Sequence, residues 1–266
     1  MSLTAAGGNI TVKGSETMVN LAQKWAESYM AKHPGIRVQI AGDGSGVGYS
    51  ALHKKTADLV NASRQINSEE STACIEAFGK RPTEYKVALD GLSIYVNGSN
   101  PLKDLTLAQL KSIFTGKIRS WKAVGGPDVP ITVYSREQSS SAYEFFREHV
   151  LQGADFAAGA QTVPGTAAVL QAVALDKNGI GYGGAACSTG ARPLGIKKDG
   201  NSPAIEPTEE NVVKGAYPIW RYLYIYVNPE LDKGEIGTYL NWIRSDEGQK
   251  IVKDAGYFPL PKNLRE

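Results

Sequence analysis

From Asn9 to Asp254 the chain alternates short β-rich runs with amphipathic runs of helical period. More than any other feature, this alternation limits the folds open to it, because strand–helix repetition along a whole chain argues an α/β fold with largely parallel sheets. Residues 9–13 read as a strand. Met18, Ala22, Trp25 and Tyr29 then recur at helical spacing, up to the break at Pro34-Gly35. Residues 36–41 and 58–62 read as strands. Helices are expected from the glycine-rich turn at 42–48 through Lys55, and over 68–78 with Gly79 as the stop. A long apolar strand signal covers 85–97, interrupted by Asp90-Gly91.

The pattern then resumes. Thr106-Leu107-Ala108-Gln109 has capping-box spacing, with Leu107, Leu110 and Phe114 on one face and Gly116 as the stop. Residues 131–135 read as a strand, and Ser141-Ala142-Tyr143-Glu144 as a second capping box opening a helix to about Leu151. A helix over 166–176 and a glycine-laced strand over 179–185 follow. Residues 197–207 read as a surface loop. Residues 221–228 are apolar on both faces and read as an inner strand, ahead of helical runs at 235–244 and 249–254.

The 266 residues fit one large domain or two modest ones. With 42% hydrophobic and 21% charged residues the chain is of globular type. Its 29 basic against 27 acidic residues leave +2, too balanced for a dedicated nucleic-acid binder. No apolar run approaches the roughly 18–20 residues that span a bilayer. The start, Met1-Ser2-Leu3-Thr4-Ala5-Ala6-Gly7-Gly8, has neither a basic n-region nor an apolar h-region, so no signal peptide is expected there. A cytoplasmic protein and the mature form of an exported one stay open on these residues. Cys74 and Cys187 have no metal or redox spacing, and two separate buried thiols are the simpler expectation over a disulfide.

Three strand-to-helix junctions share one composition: Gly14-Ser15-Glu16-Thr17, Gly44-Ser45-Gly46, and Arg136-Glu137-Gln138-Ser139-Ser140-Ser141. In open α/β sheets such junctions lie at the carboxyl ends of strands, where ligands bind. Helix N-termini there present unpaired N–H groups and the positive end of the dipole, hydroxyls add neutral donors, and Arg136 adds a fork matched to an oxyanion. Taken singly, each junction is more often a plain N-cap. Three together, one beside an arginine, leave the cap and the anion socket evenly matched. Arg64, after Asn61-Ala62-Ser63, could add a second cation, although a surface arginine in a turn is the simpler reading of it.

Enzyme signatures are not found. His33, His53 and His149 accompany no nucleophile motif, there is no Ser-x-x-Lys or Walker A sequence, Gly44-Ser45-Gly46 does not satisfy the G-x-S-x-G elbow, and the glycines at 42, 44, 46 and 48 do not fit G-x-G-x-x-G. No Cys/His cluster offers metal ligands, and no cofactor is expected. Asp43 and Asp90 sit beside glycines, where turn roles suffice.

In this order and spacing the chain resembles the phosphate-binding proteins of bacterial ABC uptake systems, with the type II periplasmic binding-protein fold. The resemblance runs from about Asn9 to Pro261. It rests on Gly14–Thr17, the turn at Ser45, residues 58–64, residues 89–97, residues 105–110, residues 136–146, Tyr217-Pro218-Ile219 and residues 224–228. Most specific is Ile113-Phe114-Thr115-Gly116-Lys117-Ile118 followed by Trp121.

The resemblance implies two α/β lobes closing like a hinge on phosphate held in the interlobe cleft. Lobe one would be discontinuous, 1–92 with 222–266, and lobe two would be 93–221, joined by connecting strands near 87–97 and 218–227. Carried over by motif, the phosphate ligands would be Ser15, Thr17, the N–H of Met18, Ser45, Arg64, Arg136, Ser139, Ser140 and Ser141. The implied partners are inorganic phosphate and the membrane subunits of an ABC transporter. The protein would be a non-enzymatic monomer outside the cytoplasm, with no nucleic-acid or metal role. Two departures bear on this. Many relatives have an Asp where this chain has Arg64, a carboxylate that would accept the proton of hydrogen phosphate. That leaves Glu137 or Asp43 as candidates for the role. Many relatives also read Ser-Gly-Thr at 139–141. Binding of a sulfate-like oxyanion on the same fold, a phosphoester-handling enzyme, and a cytoplasmic sensor remain as alternatives.

Overall fold

The computed structural model describes residues 8–138, 140–184 and 191–265, and of Ser141 only the backbone. It divides into two compact units, Met1–Leu89 with Arg221–Ala255 and Pro259–Glu266, and Asp90–Trp220 with Gly256–Phe258.

The first unit opens with β1 (Asn9–Gly14), in which Ile10 and Val12 are buried. A single 3₁₀ turn, Glu16–Met18, leads into α1 (Val19–Lys32). Its Leu21, Ala22, Trp25, Ala26 and Tyr29 are all buried on one stripe, as their spacing predicts. β2 (Arg37–Gly42), α2 (Ser45–His53), β3 (Leu59–Ala62) and α3 (Ser68–Phe78) follow. β4 (Thr83–Val96) runs unbroken through Asp90-Gly91, where the sequence reads an interruption. From Val87 onward both of its faces are buried, so the glycine there meets packing rather than a turn.

In the second unit come β5 (Asp104–Thr106), α4 (Leu107–Phe114), β6 (Thr132–Arg136), α5 (Ser141–His149), β7 (Gln161–Val163), α6 (Gly165–Leu175), β8 (Gly179–Gly184), β9 (Arg192–Pro193), β10 (Gly195–Lys197) and α7 (Glu209–Val213). The chain then re-enters the first unit with β11 (Trp220–Val227), α8 (Gly234–Arg244) and α9 (Asp246–Asp254). Among the described residues no helix is long and apolar enough to cross a membrane.

In the first unit the strand order is β2-β1-β3-β11-β4, with β1 parallel to β2 and β3, and β11 antiparallel to β3. In the second, β4 pairs antiparallel with β8, and β6 lies parallel to both β8 and β7. The short β5 and β10 form a separate parallel pair. Tyr49, Leu52, Val60, Ala62, Cys74, Tyr224 and Tyr226 make one core cluster of the first unit. Cys74 is a free thiol there, pushed up to about 11 by burial and then by the charge of Glu70; Cys187 lies outside the described residues. In the second unit Phe146 stacks on Tyr182 at 4.2 Å, with Phe114 4.7 Å from Phe146.

The two expected capping boxes have different outcomes. The Thr106–Gln109 capping box forms as its spacing predicts. The expected box at Ser141–Glu144 does not, because the helix begins one residue earlier than that box requires. Ser140 holds the N-cap position and Ser141 is already helical. The Ser140 N–H donates to the Glu137 carbonyl at 2.9 Å, and this tight turn sets the start.

Candidate anion site

The first unit brings three strand ends together through backbone and hydroxyl contacts. β1 ends at Gly14, whose φ of +136° only glycine adopts readily. A Cβ there would lie 2.1 Å from the Asn61 carbonyl oxygen, so the end of β3 needs this glycine to approach. That carbonyl accepts the Ser15 N–H at 2.8 Å. Ser15 is 2% exposed, and its Oγ, like the Asn61 Oδ1, is buried with no hydrogen-bond partner among the described residues. Buried polar atoms of this kind call for a ligand or water. The Met18 side chain is fully buried and its N–H donates to the Ser15 carbonyl at 3.1 Å. The turn thus uses internally the N–H that the resemblance assigned to phosphate.

Ser45 is the first residue of α2 and follows Gly44, with no side chain capping the helix among the described residues. Its Oγ accepts the Ser63 N–H at 3.1 Å and lies 3.4 Å from the Ser63 Oγ. The Thr17 Oγ1 accepts from Nη2 of Arg221 at 3.1 Å, and Nη1 of Arg221 donates to the Ser63 carbonyl at 3.4 Å.

Arg64 faces a different set of groups. It donates to both carboxylate oxygens of Glu70, at 2.8 and 2.7 Å, donates to the Gln65 carbonyl at 3.1 Å, and lies over the Tyr49 ring. Burial alone would raise the Glu70 carboxyl, but the Arg64 guanidinium and the Asn67 N–H outweigh it and hold the group below the usual range. Asp43 and Glu137, the candidates for reading the phosphate proton, are both exposed.

In the second unit Arg136 ends β6. Its Nη1 donates to the Thr166 hydroxyl at 3.2 Å, while its Nε is buried with no partner among the described residues. Its N–H donates to the Tyr182 hydroxyl at 3.4 Å, which is also 3.2 Å from the Ser135 Oγ. Burial pushes the Tyr182 hydroxyl up to about 12, against the hydrogen bonds of Ser135 and the Arg136 N–H, so it stays protonated. Thr166 lies in the first turn of α6, which starts at Gly165 with no side-chain cap. Its Cγ2 would be 2.4 Å from a Cβ on Gly183, a close approach that seats Thr166 on β8. Ser140 precedes α5, also without a side-chain cap; Ser139 and the Ser141 side chain lie outside the described residues. A separate groove of about 450 Å³ in this unit, lined by Ile113, Ile118, Ile131 and Ala157, contains none of these groups. No group of three or more His, Cys, Asp or Glu could hold a metal among the described residues.

Uncapped helix starts, hydroxyls and arginines in both units are the features of oxyanion binding. A family model described as a PBP superfamily domain matches residues 2–247. The phosphate-binding protein PstS of Pseudomonas aeruginosa PAO1 is 33% identical, over 99% of this chain and 86% of that protein. The chain belongs to the PBP superfamily, in the PstS phosphate-binding protein family. The PstS of Bacillus subtilis 168 is likewise 33% identical, over 96% of this chain and 82% of its own length. Among solved structures, an ABC-type phosphate transport receptor from Vibrio cholerae superposes with a TM-score of 0.84 at 26% identity, covering 96% of this chain and 100% of that one. PstS from Borrelia burgdorferi gives 0.77 at 26% identity, covering 96% and 99%. The α/β architecture is that of the type II fold inferred from the motifs.

For a PstS-family chain, the sequence reading missed three partners. Glu70 was legible as the fourth residue of Asn67-Ser68-Glu69-Glu70, a capping box that forms in full. Thr166 stood in the expected helix start but carried no anion signal of its own. Arg221 stood at the head of the expected inner strand, and only strand pairing shows what it touches.

Proposed function

We propose that this protein is an extracytoplasmic solute-binding protein that captures inorganic phosphate and delivers it to an ABC transporter. It works as a monomer handing its ligand to the transporter's membrane subunits. The PstS relatives and the Vibrio cholerae receptor support phosphate and the transporter. It is a binding protein and not an enzyme, as its family is. Donors come from Ser15, Thr17 and Ser45 at the helix starts of the first unit, and in the second from Arg136 and, as the family motif implies, from Ser139, Ser140 and Ser141.

The observation that carries the reading is the buried Nε–H of Arg136. A guanidinium N–H buried without an acceptor is costly; among the described residues this one has none, and Nη1 of the same guanidinium is held by the Thr166 hydroxyl. A tetrahedral oxyanion supplies the missing acceptor with opposite charge. Calorimetry with phosphate, arsenate and sulfate tests it. Saturable one-to-one phosphate binding is expected, with arsenate of similar shape and protonation competing. No phosphate heat at millimolar ligand would overturn the reading.

A further inference from the structure

All four residues of β3 are buried, and one of them, Asn61, is polar. Side chains alternate along a strand. Val60 and Ala62 pack into the cluster of Tyr49 and Tyr226, so Leu59 and Asn61 take the other face. Asn61 pairs in register with Gly14, and Gly14 with Gly42, which puts the three on one face of the sheet. The turn that opens α1 covers that face: a Cβ on Gly42 would lie 2.2 Å from Val19 Cγ2 and 3.5 Å from the Glu16 Cα. The same turn is tied to β3 by its backbone, since the Asn61 carbonyl accepts the Ser15 N–H at 2.8 Å.

Asn61 is 3% exposed and Ser15 2%. Neither Asn61 Oδ1 nor Ser15 Oγ has a hydrogen-bond partner among the described residues. The two atoms need different things, because a carboxamide oxygen only accepts whereas a hydroxyl also donates. Of the buried side-chain atoms without a partner among the described residues, Asn61 Oδ1 alone can only accept. An oxyanion with no proton answers the Ser15 hydroxyl and offers nothing to Asn61 Oδ1. Hydrogen phosphate answers both, with a P–O⁻ oxygen for the hydroxyl and its P–OH for the carboxamide oxygen.

We infer that Asn61 is a further specificity-determining residue of the first unit, whose Oδ1 accepts the proton of a protonated tetrahedral oxyanion that also takes the Ser15 hydroxyl. The inference rests on the phosphate reading above. It gives the proton-reading role to neither Asp43 nor Glu137, which are exposed. A neutral acceptor suits the role, because it takes this hydrogen bond without setting a second negative charge against the anion. The cost of a buried acceptor left without a donor falls on any anion that lacks the proton. Phosphate and arsenate are therefore taken and sulfate is refused.

The test is titration calorimetry on the full chain at about pH 8, where phosphate is mostly a dianion with one proton. Sulfate and monofluorophosphate are the probes, each a tetrahedral dianion without one. Wild type is expected to prefer phosphate over both by about tenfold or more. Asn61→Leu, of similar shape, should shrink that preference by about tenfold or more, with phosphate losing most. Asn61→Asp keeps the acceptor, loses the amide donor and should hold the preference. Apo melting temperatures are measured alongside. Wild type that binds either probe as tightly as phosphate would overturn the inference. So would Asn61→Leu within threefold of wild type for phosphate, the mark of an amide that holds only an internal water. Equal loss of all three anions in Asn61→Leu would overturn it too, since the amide nitrogen or the fold alone would then be at work. Where neither probe binds measurably, phosphate decides: a loss in Asn61→Leu that Asn61→Asp does not recover counts against the inference. Wild type that binds no phosphate would instead defeat the phosphate reading itself, and this inference with it.

Discussion

The Arg136 guanidinium is held by the Thr166 hydroxyl, Nη1 to Oγ1 at 3.2 Å, across 30 positions of sequence. Arg136 ends a strand and Thr166 begins a helix, so the bond fixes the side chain from outside its own loop. The Tyr182 hydroxyl takes the backbone N–H of the same arginine. Side chain and main chain are thus both oriented before any anion arrives, which lowers the ordering cost of binding.

Removing the two groups should therefore have unequal effects. Arg136→Ala is expected to cost about 2–5 kcal/mol of phosphate binding, the range for truncating one partner of a buried charge pair. Thr166→Val removes only the brace and should cost about 1 kcal/mol. Calorimetric dissociation constants for both variants check the ranking; an intact affinity in Arg136→Ala would remove this arginine from the site.

Gly14→Ala should destabilise the fold by about 3 kcal/mol, at the upper end of overpacking effects. The new Cβ would sit 2.1 Å from the Asn61 carbonyl oxygen at a φ of +136°, so neither the chain nor its neighbour can yield cheaply. Urea unfolding of the variant measures it. A midpoint equal to wild type would mean that β1 and β3 do not meet as described.

The Arg64–Glu70 pair makes a pH-dependent contribution to stability. The folded-state pKa of Glu70 lies below its usual value, because the Arg64 and Asn67 hydrogen bonds outweigh burial. A depressed carboxyl stabilises the fold above its unfolded pKa of about 4.3, and the contribution is lost as pH falls through the folded value. With side chains 36% and 18% exposed the pair is only partly screened, and Glu70→Gln should cost about 1–2 kcal/mol at pH 7. Unfolding curves should show a constant gap between wild type and variant above about pH 5 that narrows below it. A gap that widens on acidification would contradict the sign.

Phosphate should stabilise the whole chain by linkage. At about 100 times its dissociation constant the gain is about 2.7 kcal/mol. Scanning calorimetry with and without phosphate reads this as a rise in melting temperature, and an equal concentration of chloride should leave it in place. No rise at saturating phosphate would exclude binding to the native state.

Much of the fold is legible along the chain. The stripe of Leu21, Trp25 and Tyr29 buries as its period requires, and the Thr106 box caps its helix. These are interactions over three or four residues, which any chain carries locally. The second box, at Ser141, fails although its letters are equally good, because the turn from Glu137 to Ser140 starts the helix first. The Asp90-Gly91 interruption fails for a different reason: burial on both faces of β4 overrides the turn preference of the pair.

The sequence by itself determined the α/β class, the junctions rich in glycine and hydroxyls, and membership of the phosphate-binding family, since periodicity, caps and ordered motifs are properties of neighbouring residues. Tertiary structure alone decided which arginine meets which group. Arg64 turns to Glu70 six residues on. Arg221 reaches Thr17 from 204 positions away and Ser63 from 158. A guanidinium is satisfied by whatever acceptors the strand register places within about 3 Å, and that register is set by antiparallel pairing of β3 with β11, segments whose own residues carry no record of each other.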